Sequence, residues 1–422
     1  MIILKKLKIE GGHELSGTIR ISGAKNSSVA LIPAALLATD TVTICNVPEI
    51  TDTDNLCAML EFLGAKVRRA SESVVVEPQT IENKFLPESY TKKLRASYYF
   101  MGALLGKYKH VEISLPGGCS IGARPINLHL KGFEALGAVI KEDNDKFIID
   151  AEDLHGADIY LDIASVGATI NIMLAACLAR GKTVIENAAK EPEIVNVATF
   201  LNNMGAKIMG AGTSQITIIG VNKLKGCFHE VIPDRIEAGT YTIIGALVGK
   251  DLKIYNIIPE HIEALTSKLK EMGANLKIGA DYLVISQKDS YKPTNIKTLV
   301  FPGFATDLQQ PFAPLLSRCN GVSTIEETIY ENRFMHIPEL EKMGMKVEIN
   351  DRKAKFTGPN KLVGAEVKAT DLRAGASLVI AGLAAEGETV IDNVEHILRG
   401  YEGIVDKLKD VGAKIEILEV ED

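Results

Sequence analysis

The chemistry this sequence can do is concentrated in one thiol, a few carboxylates and a set of repeated cations. The thiol is Cys119, within residues 116–128, PGGCSIGARPINL. Three glycines and two prolines there exclude a regular helix or strand, so the stretch is expected to be a loop. A structural cysteine normally has apolar neighbours. Cys119 instead sits among glycines with a guanidinium, Arg124, five residues on, and both conditions favour an exposed thiolate. The expectation is a mobile lid bearing a proton donor or nucleophile beside an anion clamp.

The cations recur where helices begin. Helix starts are expected at Gly23-Ala24-Lys25-Asn26, Leu94-Arg95-Ala96, Ser165-Val166-Gly167, Asp234-Arg235-Ile236, Thr306-Asp307 and Asp371-Leu372-Arg373. A helix start exposes free N–H groups and a partial positive charge. Asp or Ser there is explained by capping. Lys25, Arg95 and Arg373 are not, because the dipole opposes them, and this points to bound anions. Arg124, Arg333 and Arg399 are expected just before or at the starts of a second set of helices. Six cations around two candidate carboxylates, Asp307 and Asp371, suit a heavily phosphorylated substrate pair.

An internal repeat must position these groups. A short phrase recurs as FLGAKV, ALGAVI, NMGAKI, EMGANL, KMGMKV and DVGAKI, with glycines at Gly64, Gly137, Gly205, Gly273, Gly344 and Gly412. The step is about 70 residues, so six copies fill the chain. The phrase reads as a helix end, a left-handed glycine and a strand. Each copy also carries an earlier segment rich in Ala, Leu and Ile with few charges, at 27–37, 96–105, 168–179, 238–248, 308–316 and 374–385. A helix apolar on nearly every face is buried. The fold expected is α/β, with three repeats per domain around buried helices, twice over.

Composition narrows the function further. The 422 residues carry a net charge of −7, which disfavours a nucleic-acid partner. Hydrophobic residues make up 46%, enough for two cores. No apolar run is long enough for a membrane span, and the start MIILKKLKIE is too charged for a signal peptide. The six cysteines form no CxxC pair; Cys45, Cys57, Cys177, Cys227 and Cys319 fall in ordinary helix and strand text. That pattern suits a reduced, cytoplasmic protein without zinc. GAKNSS lacks the Walker glycines, and neither GxGxxG nor HExxH occurs, so no cofactor or metal is expected. His129 and His336 read as structural or orienting groups.

At these residues the sequence resembles a known family. SGAKN (22–26), KLRASYY (93–99), LPGGCSIGARPINLH (115–129), SVGATINIM (165–173), IPDRIEAGTY (232–241), ATDLQQPF (305–312), ENRFMHIPEL (331–340), TDLRAGASLV (370–379) and LRGYEGIVDKL (398–408) are similar to motifs of the UDP-N-acetylglucosamine enolpyruvyl transferases. The likeness runs over nearly the whole chain. It implies two inside-out α/β barrels, one of residues 25–232, the other of 1–24 with 233–422, and an active site in the cleft between them. The implied reaction moves the enolpyruvyl group of phosphoenolpyruvate to the 3′-hydroxyl of UDP-N-acetylglucosamine, by addition and elimination, at the entry to peptidoglycan synthesis.

The resemblance also assigns roles. Cys119 would protonate the vinyl carbon, can form a covalent adduct, and would be alkylated by the epoxide fosfomycin; Asp307 would take the hydroxyl proton. Lys25, Arg124 and Arg399 are similar to residues that hold the phosphate of phosphoenolpyruvate, and Arg333, Arg373 and Arg399 to its carboxylate clamp, with Asn26 in contact with both substrates. The nucleotide sugar would use Asn26, Arg95, Arg124, Pro125, Ile126, Asn127, Leu128, Ser165, Val166, Gly167, Asp307 and Ile329. Asn127 stands where many members carry Asp. The assembly implied is a monomer or weak oligomer. Three other readings stay open: the sister transferase acting on shikimate 3-phosphate, a related RNA 3′-phosphate cyclase, and a silent paralogue that only binds the nucleotide sugar. The cysteine loop with its Arg-Pro-Ile-Asn-Leu segment favours the nucleotide sugar over shikimate 3-phosphate.

Overall fold

A computed structural model describes residues 3–115 and 126–421. Six central helices carry the low-charge segments. They are α1 (Lys25–Ala34), α2 (Tyr99–Tyr108), α3 (Val166–Ala176), α4 (Arg235–Val248), α5 (Thr306–Phe312) and α6 (Leu372–Ala384). Every residue of α3 from Ala168 onward is buried, as is every residue of α4 from Ile236 onward. Such helices cannot show a polar face, which is why their sequences lack one. Proline sits inside α1 (Pro33) and α5 (Pro311), and both helices tighten afterwards into 3-10 turns, Ala35–Leu37 and Ala313–Arg318. The missing proline N–H ends the regular ladder there.

The glycine phrase does what its chemistry predicts. All six glycines have φ between 87° and 105°, each just past a helix end, and a strand follows. Among the described residues the strands form six sheets, five of four strands and one of three. Each sheet holds one strand that follows a central helix: Val42–Cys45, His110–Ser114, Lys182–Glu186, Leu252–Tyr255, Gly321–Glu326 or Glu388–Asp392.

The chain divides into two compact units, one formed by residues 23–115 and 126–232, the other by 3–22 and 233–421. In the first, α2 packs on both α1 and α3; in the second, α4, α5 and α6 pack pairwise. Each unit has its own apolar core. The first strand, Ile3–Glu10, lies in the second unit, antiparallel to Glu388–Asp392 (Leu7 opposite Ile391) and to Lys414–Glu421 (Leu7 opposite Ile417). Its alternate residues Leu7 and Ile9 are fully buried, as a strand with one covered face requires. Among the described residues no helix is long and apolar enough to cross a membrane.

Where the chain leaves the second unit, at Ser22, a polar cluster replaces apolar packing. The Ser22 N–H donates to the carboxylate of Glu237 in α4 at 2.9 Å, and the ammonium of Lys407 reaches Glu237 and the Ser22 hydroxyl, both at 2.6 Å. The Ser22 hydroxyl donates to Glu402. Burial pushes Glu237 up to about 7, against the pull of Lys407. The unfolded chain would titrate near ~4.3, so between those values the folded state holds a proton that the unfolded state lacks. Stability from this group therefore falls as pH rises through the window and levels off above it, by about 4 kcal/mol in all. Glu237→Gln should remove that slope. Urea unfolding at pH 5 and pH 8 checks it: the wild type should lose more stability than the variant between the two, and equal losses would refute the assignment.

Candidate active site

The second unit gathers three of the expected groups at one point. Asp307 is the second residue of α5, and Arg373 the second of α6. Arg333 lies before the short helix Ile337–Lys342. Arg333 Nη2 donates to Asp307 Oδ1, while Arg373 donates to Oδ2 from Nη2 at 3.2 Å and from Nε at 3.4 Å. The arginine side chains are only 3% and 4% exposed, and the carboxylate is 27% exposed. Asp307 and the two guanidiniums carry one excess positive charge among the three of them. The most accessible of the three is the group that can take a proton.

Neighbours fix this arrangement. Arg373 lies 5.2 Å from the ring centre of Tyr401, and Arg333 5.4 Å from that of Tyr330, both favourable to a cation. Burial alone would lower the pKa of Arg373, but Tyr401, Asp307 and Asp234 outweigh it and raise it. Asp371, the other candidate carboxylate, is occupied as the cap of α6: its Oδ1 accepts from the N–H groups of Arg373 (2.8 Å) and Ala374 (3.0 Å), and its Oδ2 from Gln310 Nε2 (3.2 Å). It positions α6, with three of its roughly four lone-pair sites taken by these donors. His336 is fully buried, and burial pushes it down to about 3, so it stays neutral.

Two expectations about the arginines need correction. Arg399 is not at a helix start; it is the C-cap of the four-residue helix Glu395–Leu398, where the dipole favours a cation. Its segment nevertheless packs on the start of α6, because a Cβ at Gly400 would come within 2.5 Å of the Leu372 side chain. Arg333 stands four residues ahead of its helix, too far for the helix terminus to act on it. Ile329 lies on the same stretch as Arg333, its N–H bonded to Glu327 at 2.8 Å.

The first unit gathers the remaining described groups. The expected loop ends sooner than its sequence suggests: Ile126 caps a helix, Asn127–Ala135, so Asn127 and Leu128 are helical. Asn127 is exposed at its first position. This helix crosses α3 closely, since a Cβ at Gly132 would lie 2.3 Å from Ile172 Cγ1. At the start of α3, Ser165 accepts from the Ala168 N–H at 3.3 Å, and Val166 and Gly167 follow. A Cβ at Gly167 would come within 2.9 Å of His129 Cε1 and 3.0 Å of the Tyr98 hydroxyl, so only glycine allows this approach. Arg95 opens the 3-10 turn Arg95–Tyr98. Asn171 Nδ2 donates to His129 Nδ1 at 2.8 Å and to the Tyr98 carbonyl at 3.1 Å. Burial, then the charge of Arg95, pushes His129 down to about 3. It is a neutral imidazole with its proton on Nε2. Arg95, the 126–128 segment and Ser165–Gly167 are thus brought together in one unit.

Lys25 is the first residue of α1, with Asn26 beside it. Its ammonium lies 3.0 Å from the buried carboxylate of Asp52. The sequence offered no sign of this pairing, because Asp52 reads as an ordinary acid in the first turn of its helix, Thr51–Phe62. Cys119, Arg124 and Pro125 lie outside the described residues. Burial pushes three of the described thiols up, Cys57 and Cys227 to about 11 and Cys177 to about 12. None of these three is a thiolate near neutral pH. No group of His, Cys, Asp or Glu among the described residues could hold a metal ion.

Comparison with known proteins finds relatives along nearly the whole chain. The family model described as EPSP synthase (3-phosphoshikimate 1-carboxyvinyltransferase) matches residues 9–408. A UDP-N-acetylglucosamine 1-carboxyvinyltransferase 2 of Geobacillus kaustophilus is 55% identical, over 98% of this chain and 96% of the relative. The protein of the same name in Bacillus subtilis is likewise 55% identical over 98% and 96%. Among solved structures, the enolpyruvyl transferase NikO from Streptomyces tendae is 26% identical with a TM-score of 0.90, covering 100% of both chains. An EPSP synthase from Acinetobacter baumannii, 18% identical over 98% of this chain and 100% of its own, shares the fold with a TM-score of 0.75. With more than half its residues shared along almost its whole length, the chain belongs to the enolpyruvyl transferases and, within them, to the UDP-N-acetylglucosamine 1-carboxyvinyltransferases.

Proposed function

We propose that this protein transfers the enolpyruvyl group of phosphoenolpyruvate to the 3′-hydroxyl of UDP-N-acetylglucosamine and releases phosphate, committing the nucleotide sugar to peptidoglycan synthesis in the cytoplasm. The observation that carries the reading is the partly exposed Asp307 held by two buried arginines. A base for a hydroxyl and a clamp for a planar carboxylate stand together there, and guanidinium forks suit that clamp.

In the addition step the 3′-oxygen bonds to C2 of phosphoenolpyruvate while Asp307 takes its proton, and Cys119 delivers a proton to C3. The product is a tetrahedral ketal that retains the phosphate. In the elimination step the Cys119 thiolate left by the addition takes a proton from C3, the double bond re-forms, and the C2–O bond breaks with its electron pair leaving on phosphate. Arg333, Arg373 and Arg399 hold the carboxylate; Lys25, Asn26, Arg124 and Arg399 attend the phosphate. Asp52 sets the height of Lys25 over α1. The nucleotide sugar rests on Asn26, Arg95, the 124–128 segment, Ser165–Gly167, Asp307 and Ile329, with free N–H groups at the start of α3 receiving diphosphate oxygens. The reactants together carry roughly −4 to −5, a load the six cations can match.

The finer architecture belongs to the same proposal: two inside-out barrels of three repeats each, functioning as a monomer or weak oligomer, with residues of both units serving one reaction. Phosphate release from phosphoenolpyruvate tests it, with UDP-N-acetylglucosamine or shikimate 3-phosphate as acceptor. Release with the nucleotide sugar alone supports the reading. Release with shikimate 3-phosphate alone would move the chain to the sister activity, and tight binding of the nucleotide sugar without turnover would make it a silent binder.

A further inference from the structure

One buried carboxylate next to the site has no role in the reaction as drawn. Glu327 is 1% exposed. Its Oε1 accepts from the Thr298 hydroxyl at 2.8 Å, the Ile329 N–H at 2.8 Å and the Tyr330 N–H at 3.3 Å. Its Oε2 accepts from the Thr306 hydroxyl at 2.8 Å. Two of these partners, the N–H groups of Ile329 and Tyr330, can only donate, and the two hydroxyls are free to donate as well, so the four suit a carboxylate, which only accepts. Thr306 is the residue before Asp307 and the first of α5. Its oxygen also accepts from Arg333 Nε at 3.4 Å, and Arg333 Nη2 holds Asp307.

The hydroxyl has one proton. Because Glu327 can only accept, that proton points to Glu327, and the Thr306 lone pairs are left for the Arg333 N–H. The chain of bonds therefore has one direction: Arg333 to Thr306 to Glu327. We propose that Glu327 and Thr306 are positioning residues for this reaction, with the Glu327 carboxylate acting through the Thr306 hydroxyl to set the angle at which Arg333 meets Asp307. The inference rests on the roles given to Asp307 and Arg333 under the proposed reaction. Glu327 also pins the backbone at Ile329, on the side assigned to the nucleotide sugar, so one carboxylate fixes both the base and part of the acceptor seat.

The two contacts give separable effects. Thr306→Val keeps the shape but neither accepts nor donates; kcat should fall at least tenfold while the KM for UDP-N-acetylglucosamine stays within twofold. Thr306→Ser restores the hydroxyl and should bring kcat to within threefold of wild type. Glu327→Gln turns an NH₂ toward Thr306; the hydroxyl oxygen can accept from both this group and Arg333, but its O–H proton loses its acceptor and must turn elsewhere, which swings the lone pairs off the Arg333 line. Its kcat should fall like that of Thr306→Val, and its KM for the nucleotide sugar should rise as Ile329 loosens. The decisive measurement is the double variant. If the two residues act in one chain, its kcat equals that of the worse single variant. Multiplied losses, or a Thr306→Ser as poor as Thr306→Val, would reduce both residues to independent structural parts. Wild-type turnover matched by Thr306→Val overturns the relay alone. A wild type that does not turn over overturns the reaction assigned above and this role with it.

Discussion

Asp307→Asn should slow turnover roughly a thousandfold, the range expected when a general base is lost, and should at the same time lower the KM for phosphoenolpyruvate. The second effect is the more telling. Arg333 and Arg373 each place donors on one Asp307 oxygen, and the same two guanidiniums are proposed to clamp the substrate carboxylate. In the wild type, two carboxylates draw on one set of N–H groups. Each guanidinium has five donors, so sharing is possible, but every donor aimed at Asp307 weakens the grip on substrate. Asparagine is neutral and competes less. With chemistry slow, KM approaches the dissociation constant, so the tighter clamp becomes visible in steady-state kinetics. The variant will also be less stable, on the order of 3–5 kcal/mol, because two buried cations lose their counter-charge; assays belong well below its Tm. A thousandfold loss of kcat with a raised KM would place the substrate carboxylate elsewhere.

The parts of this protein legible in sequence are those that depend on near neighbours. A helix end followed by a left-handed glycine is decided within a few residues, and all six glycines of the phrase adopt that conformation. Burial of the central helices is legible for the same reason: a segment with almost no charge has no face for water. The cations at the starts of α1 and α6 were visible because a charge that opposes the dipole needs an explanation; Arg95 proved to open the 3-10 turn that leads into α2, not α2 itself. Arg399 misled because the helix it closes has four residues, too few to show a period. What could not be read was partnership. Arg373 and Asp307 are 66 residues apart, Lys25 meets Asp52 across the gap between two helices, and Asn171 orients His129 from 42 residues away. Nothing local distinguishes Glu327 from its neighbour Glu326; only the fold brings four donors to one and a surface lysine to the other.

Cys119→Ala should abolish turnover and, with it, the covalent adduct that fosfomycin forms there. An epoxide is opened by a thiolate, so selectivity among cysteines follows the fraction ionised. Burial holds Cys57, Cys177 and Cys227 at about 11 to 12, leaving well under a thousandth of each as thiolate at pH 7. Cys119, among glycines with Arg124 nearby, has the sequence setting that lowers a thiol pKa. Intact-mass measurement should therefore show one adduct fewer on the alanine variant than on the labelled wild type, with Cys57, Cys177 and Cys227 unlabelled in both. An adduct count unchanged in Cys119→Ala would put the reactive thiolate at another cysteine and would remove Cys119 as the proton donor. Cys119→Asp separates acid from nucleophile. A carboxylic acid can give a proton to C3 but is a poor partner for an epoxide, so this variant should retain measurable phosphate release and resist labelling. If it is as inactive as the alanine variant, proton donation is not the thiol's whole contribution, and the covalent adduct with phosphoenolpyruvate becomes part of the productive path.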